Sequence, residues 1–147
     1  MHIEEILANL LKKWKLTFDS EVIECIAKRC LGIPRQACNL ALKVRNQVLA
    51  HDRLTISKQD AYAVFEREII DEIGLSQLHV KYLMELYNAN GNPKGLRALS
   101  GKLGEHDDVL IGTIEPVLMS LNFIDLWPKG RVLTDAGYKH LVSCHLR

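Results

Sequence analysis

Phe123-Ile124-Asp125-Leu126-Trp127, then Pro128-Lys129-Gly130, then Arg131-Val132-Leu133 is the stretch that decides the fold. Two short runs rich in apolar residues flank a proline–glycine turn, so it reads as strand, turn, strand. Helical periodicity recurs upstream. Leu78, Tyr82, Leu83 and Leu86 follow Ser76, a capping residue, and Leu96, Leu99 and Leu103 form a short helix that Gly104 ends. Ile111, Ile114, Val117, Leu118 and Leu121 line a longer helix, with Asp107 or Asp108 as its cap. Residues 88–95 are dense in turn formers and read as a loop. Downstream, Thr134 caps a last helix carrying Ala136, Tyr138 and Leu141. Three helices, a hairpin wing and a closing helix are the order of a winged helix-turn-helix, predicted over residues 73–147.

The other half is helical throughout. Ile3, Ile6, Leu7, Leu10, Leu11 and Trp14 recur at three- and four-residue steps, one face of a helix. Asp19 and Ser20 are caps for a second helix, with Val22, Ile23, Ile26 and Ala27 inside it and Gly32 at its end. Pro34 opens a third, through Ala37, Leu40, Ala41, Val44, Val48 and Leu49. Thr55 and Ile56 are a short extended piece. Ser57 with Asp60 three residues on is a capping box for a fourth helix, holding Ala61, Val64, Phe65 and Ile69. Residues 1–72 are predicted to form a four-helix bundle, and the chain as a whole is mainly α.

Composition sets the outer limits. At 147 residues, 48% hydrophobic and 25% charged, the chain is too apolar for disorder and long enough for one ordinary domain or two small ones. A formal net charge of +1 gives no global field to draw it onto DNA or a membrane, so nucleic-acid binding must come from a local patch. No apolar run approaches a membrane span, and Glu4 and Glu5 interrupt the first pattern; a cytoplasmic protein without membrane contact is expected.

Self-sufficient chemistry is absent from the pattern. There is no Walker-type phosphate loop, no G-x-S-x-G elbow and no H-E-x-x-H. Cys25, Cys30, Cys38 and Cys144 lack paired metal-ligand spacing and read as buried reduced thiols. His2, His51, His79, His106, His140 and His145 are scattered and read as surface or helix-end residues. No catalytic residue and no metal site is expected.

Two segments carry candidate chemistry. In Gly32-Ile33-Pro34-Arg35, a proline-fixed helix start holds an arginine whose guanidinium can clamp a phosphate; the same residues also read as a glycine stop, a proline start and a solvated arginine. In Pro128-Lys129-Gly130-Arg131-Val132, two cations flank a glycine that permits close approach to a phosphate backbone, although lysine and glycine are also ordinary turn formers. Trp127 reads as an apolar anchor packing the wing onto the body, with stacking on a base as the other reading.

Together these residues resemble the C-terminal part of the RuvB family, the bacterial AAA+ motors of Holliday junction branch migration. Gly32-Ile33-Pro34-Arg35 resembles the family's Gly-Thr-Pro-Arg sensor-2 motif within a helical lid. Glu115-Pro116, with Leu118, is similar to the Glu-Pro-Tyr-Leu of its third winged-helix helix, with Val117 in place of the tyrosine. Phe123-Ile124, Pro128-Lys129-Gly130-Arg131-Val132 and Thr134 match its wing and Gly104-Glu105 matches the family as well, in order along nearly the whole chain.

The resemblance implies an AAA+ lid over residues 1–72 and a winged-helix DNA-binding domain over 73–147. It implies Pro34 and Arg35 as a nucleotide-phosphate contact once an ATP-binding core is supplied, with ATP and magnesium belonging only to a complete motor. It implies Lys129, Gly130 and Arg131 at junction or duplex DNA. The ATP-binding core and the hairpin that binds RuvA lie outside this sequence, so neither ATPase activity nor RuvA binding is expected of it. The sequence departs from the pattern where family arginines fall on Leu126 and Asp107, and a threonine on Trp127. Those three favour an alternative, a winged helix that has exchanged DNA for a protein partner. If Lys129, Arg131 and one further cation such as Lys102 neutralise about three phosphates, log affinity falls with log salt at a slope near −2.7. That is weak, sequence-independent binding which several copies in a ring would multiply.

Overall fold

The computed structural model describes residues 2–146. They form two compact units that part between Ser76 and Gln77, four residues beyond the boundary expected from sequence. The shift has a local cause. The Asp71 carboxylate accepts hydrogen bonds from the backbone N–H groups of Ile73, Gly74 and Leu75 at 3.0, 3.0 and 2.8 Å. The Arg29 guanidinium donates to the Asp71 carbonyl at 2.8 Å while lying 4.7 Å from the Phe65 ring centroid. Residues 71–75 are thereby tied back onto the first unit.

In the first unit α1 (Ile3–Lys13), α2 (Ser20–Lys28), α3 (Pro34–Leu49) and α4 (Lys58–Glu68) form the four-helix bundle. Leu7 and Leu11 of α1 are fully buried with Val22 and Ile26 of α2, Leu40 and Val44 of α3, and Val64 and Phe65 of α4. The caps are local. Asp19 accepts from the Val22 N–H at 3.2 Å, Pro34 occupies the first turn of α3, and Ser57 and Asp60 make the reciprocal capping box. Asp60 also receives both ends of the Arg53 guanidinium, at 3.1 and 2.5 Å.

At Gly32, at Ile69 and at the cysteines the structure departs from expectation. Helix α2 stops at Lys28, and Leu31 and Gly32 both follow with positive φ, so Gly32 closes the loop to α3 rather than the helix itself. Ile69 is 57% exposed and left-handed at φ 53°, a C-cap instead of a core position. Thr55-Ile56 (β2) has a partner that no local pattern announces: it pairs in parallel with Thr17-Phe18 (β1). Of the four cysteines, all reduced, only Cys30 is buried; Cys25, Cys38 and Cys144 are half-exposed.

The second unit is a winged helix. Helices α5 (Gln77–Asn88) and α6 (Leu96–Leu103) are followed by a continuous helical run: α7 (Asp107–Val109), a π-helical turn (Leu110–Ile114) and α8 (Glu115–Ser120). The hairpin β3 (Ile124–Trp127) and β4 (Gly130–Leu133) and the closing helix α9 (Asp135–Cys144) complete it. Gly104 ends α6 at φ 70°, and the Thr134 hydroxyl accepts from the Gly137 N–H at 3.1 Å. The third helix starts from His106, with Asp107 and Asp108 inside its first turn rather than capping it. Its wide turn displaces one predicted core residue. The Glu115 N–H reaches back five residues to the Leu110 carbonyl just before Pro116, which has no N–H of its own. Leu110, Ile114 and Leu118 face inward as a result, and Ile111 is 49% exposed. His79, expected at the surface, is buried in the first turn of α5. Among the described residues no helix is long and apolar enough to cross a membrane.

Candidate nucleic-acid interface

The wing is a tight antiparallel hairpin in which Ile124 faces Leu133, Asp125 faces Val132, Leu126 faces Arg131 and Trp127 faces Gly130. Pro128 and Lys129 make the two-residue turn. A third strand segment, which the sequence did not announce, flanks the wing near its turn. Lys94 bridges to Arg131, its N–H donating to the Arg131 carbonyl at 2.9 Å and its carbonyl accepting from the Arg131 N–H at 2.7 Å.

Gly130 makes this contact possible. It sits at φ 145°, buried, and a Cβ there would run into the carbonyl of Lys94. The close approach that the glycine permits is therefore to the chain's own backbone.

Arg131 is likewise committed within the fold. Its Nε donates to Glu115 Oε2 at 2.7 Å and a terminal nitrogen donates to Oε1 at 3.3 Å. Glu115 is 3% exposed, and the Tyr82 hydroxyl on α5 donates to the same Oε2 at 2.5 Å. A buried carboxylate held by a tyrosine and a bidentate arginine joins α5, α8 and β4 at one point. Burial, with the Glu115 hydrogen bond second, pushes the Tyr82 hydroxyl far above its ordinary pKa, and the Glu115 contact raises that of Arg131. Arg131 keeps an outward edge of its five N–H donors, but Glu115 offsets its charge.

Lys129 is exposed at the tip and makes no ion pair with a described residue. No lysine or arginine occurs between Lys102 and Lys129. The third helix, which takes the recognition position of a winged helix, therefore presents no cation. Its outward residues include Asp108, Ile111, Pro116 and Met119. Asp107, where the resemblance placed a family arginine, accepts a hydrogen bond from the Ser100 hydroxyl at 2.5 Å.

Trp127 does not anchor the wing. It is 51% exposed, and Leu126 beside it is 52% exposed. Residues paired across a ladder present their side chains on one face, and the partner of Trp127 is Gly130, so nothing across the strand covers the indole.

Arg35 is exposed on the first turn of α3, behind Pro34. It is a single cation, and a nucleotide needs a phosphate cradle in addition.

The family model described as the RuvB C-terminal winged helix domain matches residues 72–142. The Holliday junction branch migration complex subunit RuvB of Wolbachia sp. subsp. Brugia malayi (strain TRS) is 34% identical over 141 residues, 93% of this chain and 43% of that protein. Its counterpart in Ehrlichia ruminantium (strain Gardel) is 33% identical over 149 residues, 96% of this chain and 45% of that protein. A solved structure of the Thermotoga maritima RuvB Holliday junction branch migration motor superposes with a TM-score of 0.84 at 31% identity, covering 95% of this chain and 47% of that one. The chain thus spans less than half the length of these relatives, and all of its match lies in their lid and winged helix. On fold, motif order and sequence, the chain belongs to the RuvB family through its C-terminal region.

Proposed function

We propose that this chain grips the backbone of junction or duplex DNA through its wing and that it has no ATPase activity of its own. The observation that carries the reading is the wing tip: a hairpin clamped beside its turn by Lys94, Gly130 and the Arg131–Glu115 pair, with Lys129 turned to solvent. Lys129 supplies the free charge. Arg131 offers its remaining N–H edge, and Gly130 keeps the hairpin seated.

The offset of Arg131 by Glu115 changes the expected magnitude. With about two phosphates neutralised instead of three, the salt slope falls to near −1.8, or roughly 12-fold between 50 and 200 mM. Such binding is weak and serves a motor only through repeated copies. Arg35 would meet a nucleotide phosphate when an AAA+ core is supplied in trans.

Fluorescence anisotropy with a four-way junction and a matched duplex at two salt concentrations tests the reading. Salt-sensitive binding to either is expected. No binding at low salt and high protein concentration contradicts it and favours a second reading, a protein-docking winged helix. The observation behind that alternative is the cation-free, partly apolar outer face of the third helix, with Ile111 and Met119 exposed by 49% and 43%.

A further inference from the structure

We infer that Trp127 is a stacking platform for an unpaired DNA base, so that the wing distinguishes opened from fully paired DNA. The inference rests on the DNA-gripping reading above and adds the class of DNA preferred and the residue that selects it.

Tryptophan is highly buried on average in folded proteins, yet Trp127 is half-exposed at a hairpin tip, with Pro128 and the cation Lys129 directly after it. Its mounting is rigid. Trp127 pairs with Gly130, which is locked on the Lys94 backbone, and the next residue, Arg131, is fixed to Glu115. With its backbone fixed, the indole has only two side-chain torsions to lose on binding, which favours a stacking contact.

Charge on the two sides of the tip separates base from phosphate. Asp125 is exposed and, two residues before Trp127 on the same strand, presents on the same face. An acid beside the indole repels a phosphate but leaves a neutral base unopposed. Lys129, on the turn, is then placed for the phosphate next to that base. The combination of an aromatic ring and an adjacent cation is that of single-strand binding surfaces.

Size argues against a protein as the occupant of the tip. A stable protein interface buries about 800 Å² per partner, whereas a whole aromatic side chain buries only about 150–250 Å². Leu126, Trp127, Pro128 and Lys129 fall well short of an interface, and one nucleobase needs a single ring face.

The test uses the full chain in a Trp14→Phe background, leaving Trp127 as the only indole. Binding is compared between a fully paired duplex and the same duplex with a short unpaired flap, by anisotropy and by indole fluorescence. We expect the flap to quench Trp127 and to bind more tightly. Trp127→Ala should cost about 5- to 150-fold on the flap, the range of one base–aromatic stack, and much less on the duplex. Trp127→Phe should restore most of the loss. Equal losses on both DNAs, or no quenching, overturn the stacking role while leaving the DNA-gripping reading intact. Absence of binding to either DNA at low salt overturns both.

Discussion

Arg131 on the wing and Glu115 on the third helix form a bidentate ion pair, 2.7 Å at its shorter contact, around a carboxylate that is 3% exposed. Both belong to the stretches that carry the RuvB resemblance, Glu-Pro on a helix and the basic wing. The structure joins the two into one device. The glutamate fixes the angle at which the hairpin leaves the body, so the arginine is first an anchor and only then a cation available to DNA.

Removing one partner should therefore unsettle the fold. Arg131→Ala leaves Glu115 buried with Tyr82 alone and should cost about 3 kcal/mol in urea unfolding, the lower end for a broken buried pair because Arg131 is partly exposed. The double variant Glu115→Gln, Arg131→Met should recover much of that loss. If Arg131→Ala unfolds like the parent, the pair contributes nothing to stability.

Tyr82→Phe removes the hydroxyl that donates to Glu115 while keeping the ring in its buried site. A loss of about 1.5–3 kcal/mol is expected, typical of a hydrogen bond to a charged group. DNA affinity measured well below the unfolding transition should not change, because the tyrosine is far from solvent.

Gly130 and Gly104 separate two roles of glycine. Both have positive φ, but the space at Gly104 is open, whereas a side chain at Gly130 meets the Lys94 carbonyl. Gly104→Ala should cost about 1 kcal/mol, the left-handed penalty alone. Gly130→Ala should cost at least about 2 kcal/mol and break the Lys94 bridge. Hydrogen exchange at the Arg131 amide reports the bridge directly; equal costs at the two positions would count against it.

Asp60 gives the first unit a dependence on acid. Hydrogen bonds from Arg53, and then from the Ser57 backbone and hydroxyl, lower its pKa from 3.8 to about 2. Because the folded value lies below the unfolded one, the stabilisation is complete above about pH 4 and is lost as pH falls toward 2. Its size is of order 1–2 kcal/mol, discounted for the solvent that reaches Arg53. Asp60→Asn should flatten the acid limb of the unfolding curve; an unchanged limb would mean that Asp60 titrates normally.

Features encoded within a few residues were legible in the sequence. The Ser57–Asp60 box, the caps at Asp19 and Thr134, the Pro34 start and the Gly104 stop depend on neighbours at most four positions away, and the hairpin on partners within nine. Features that join distant residues were not. Thr17 meets Thr55, Lys94 meets Arg131 and Glu115 meets Arg131 only after packing. Trp127 reads as an anchor for a related reason: an apolar residue in a strand reads as core, and only the ladder register reveals a glycine opposite. The π turn shifted Ile111 outward because helical periodicity assumes 3.6 residues per turn throughout.

The most direct test of the account measures DNA affinity against salt for the parent chain and for Lys129→Ala. Lys129 is solvent-facing and outside the buried network, so its loss should leave the fold intact. The account predicts weaker binding to all DNA sequences and a log–log salt slope shallower by about 0.9, one phosphate contact. A parent chain that binds with salt sensitivity, paired with a Lys129→Ala variant of unchanged affinity and slope, would contradict the claim that the wing tip grips the backbone.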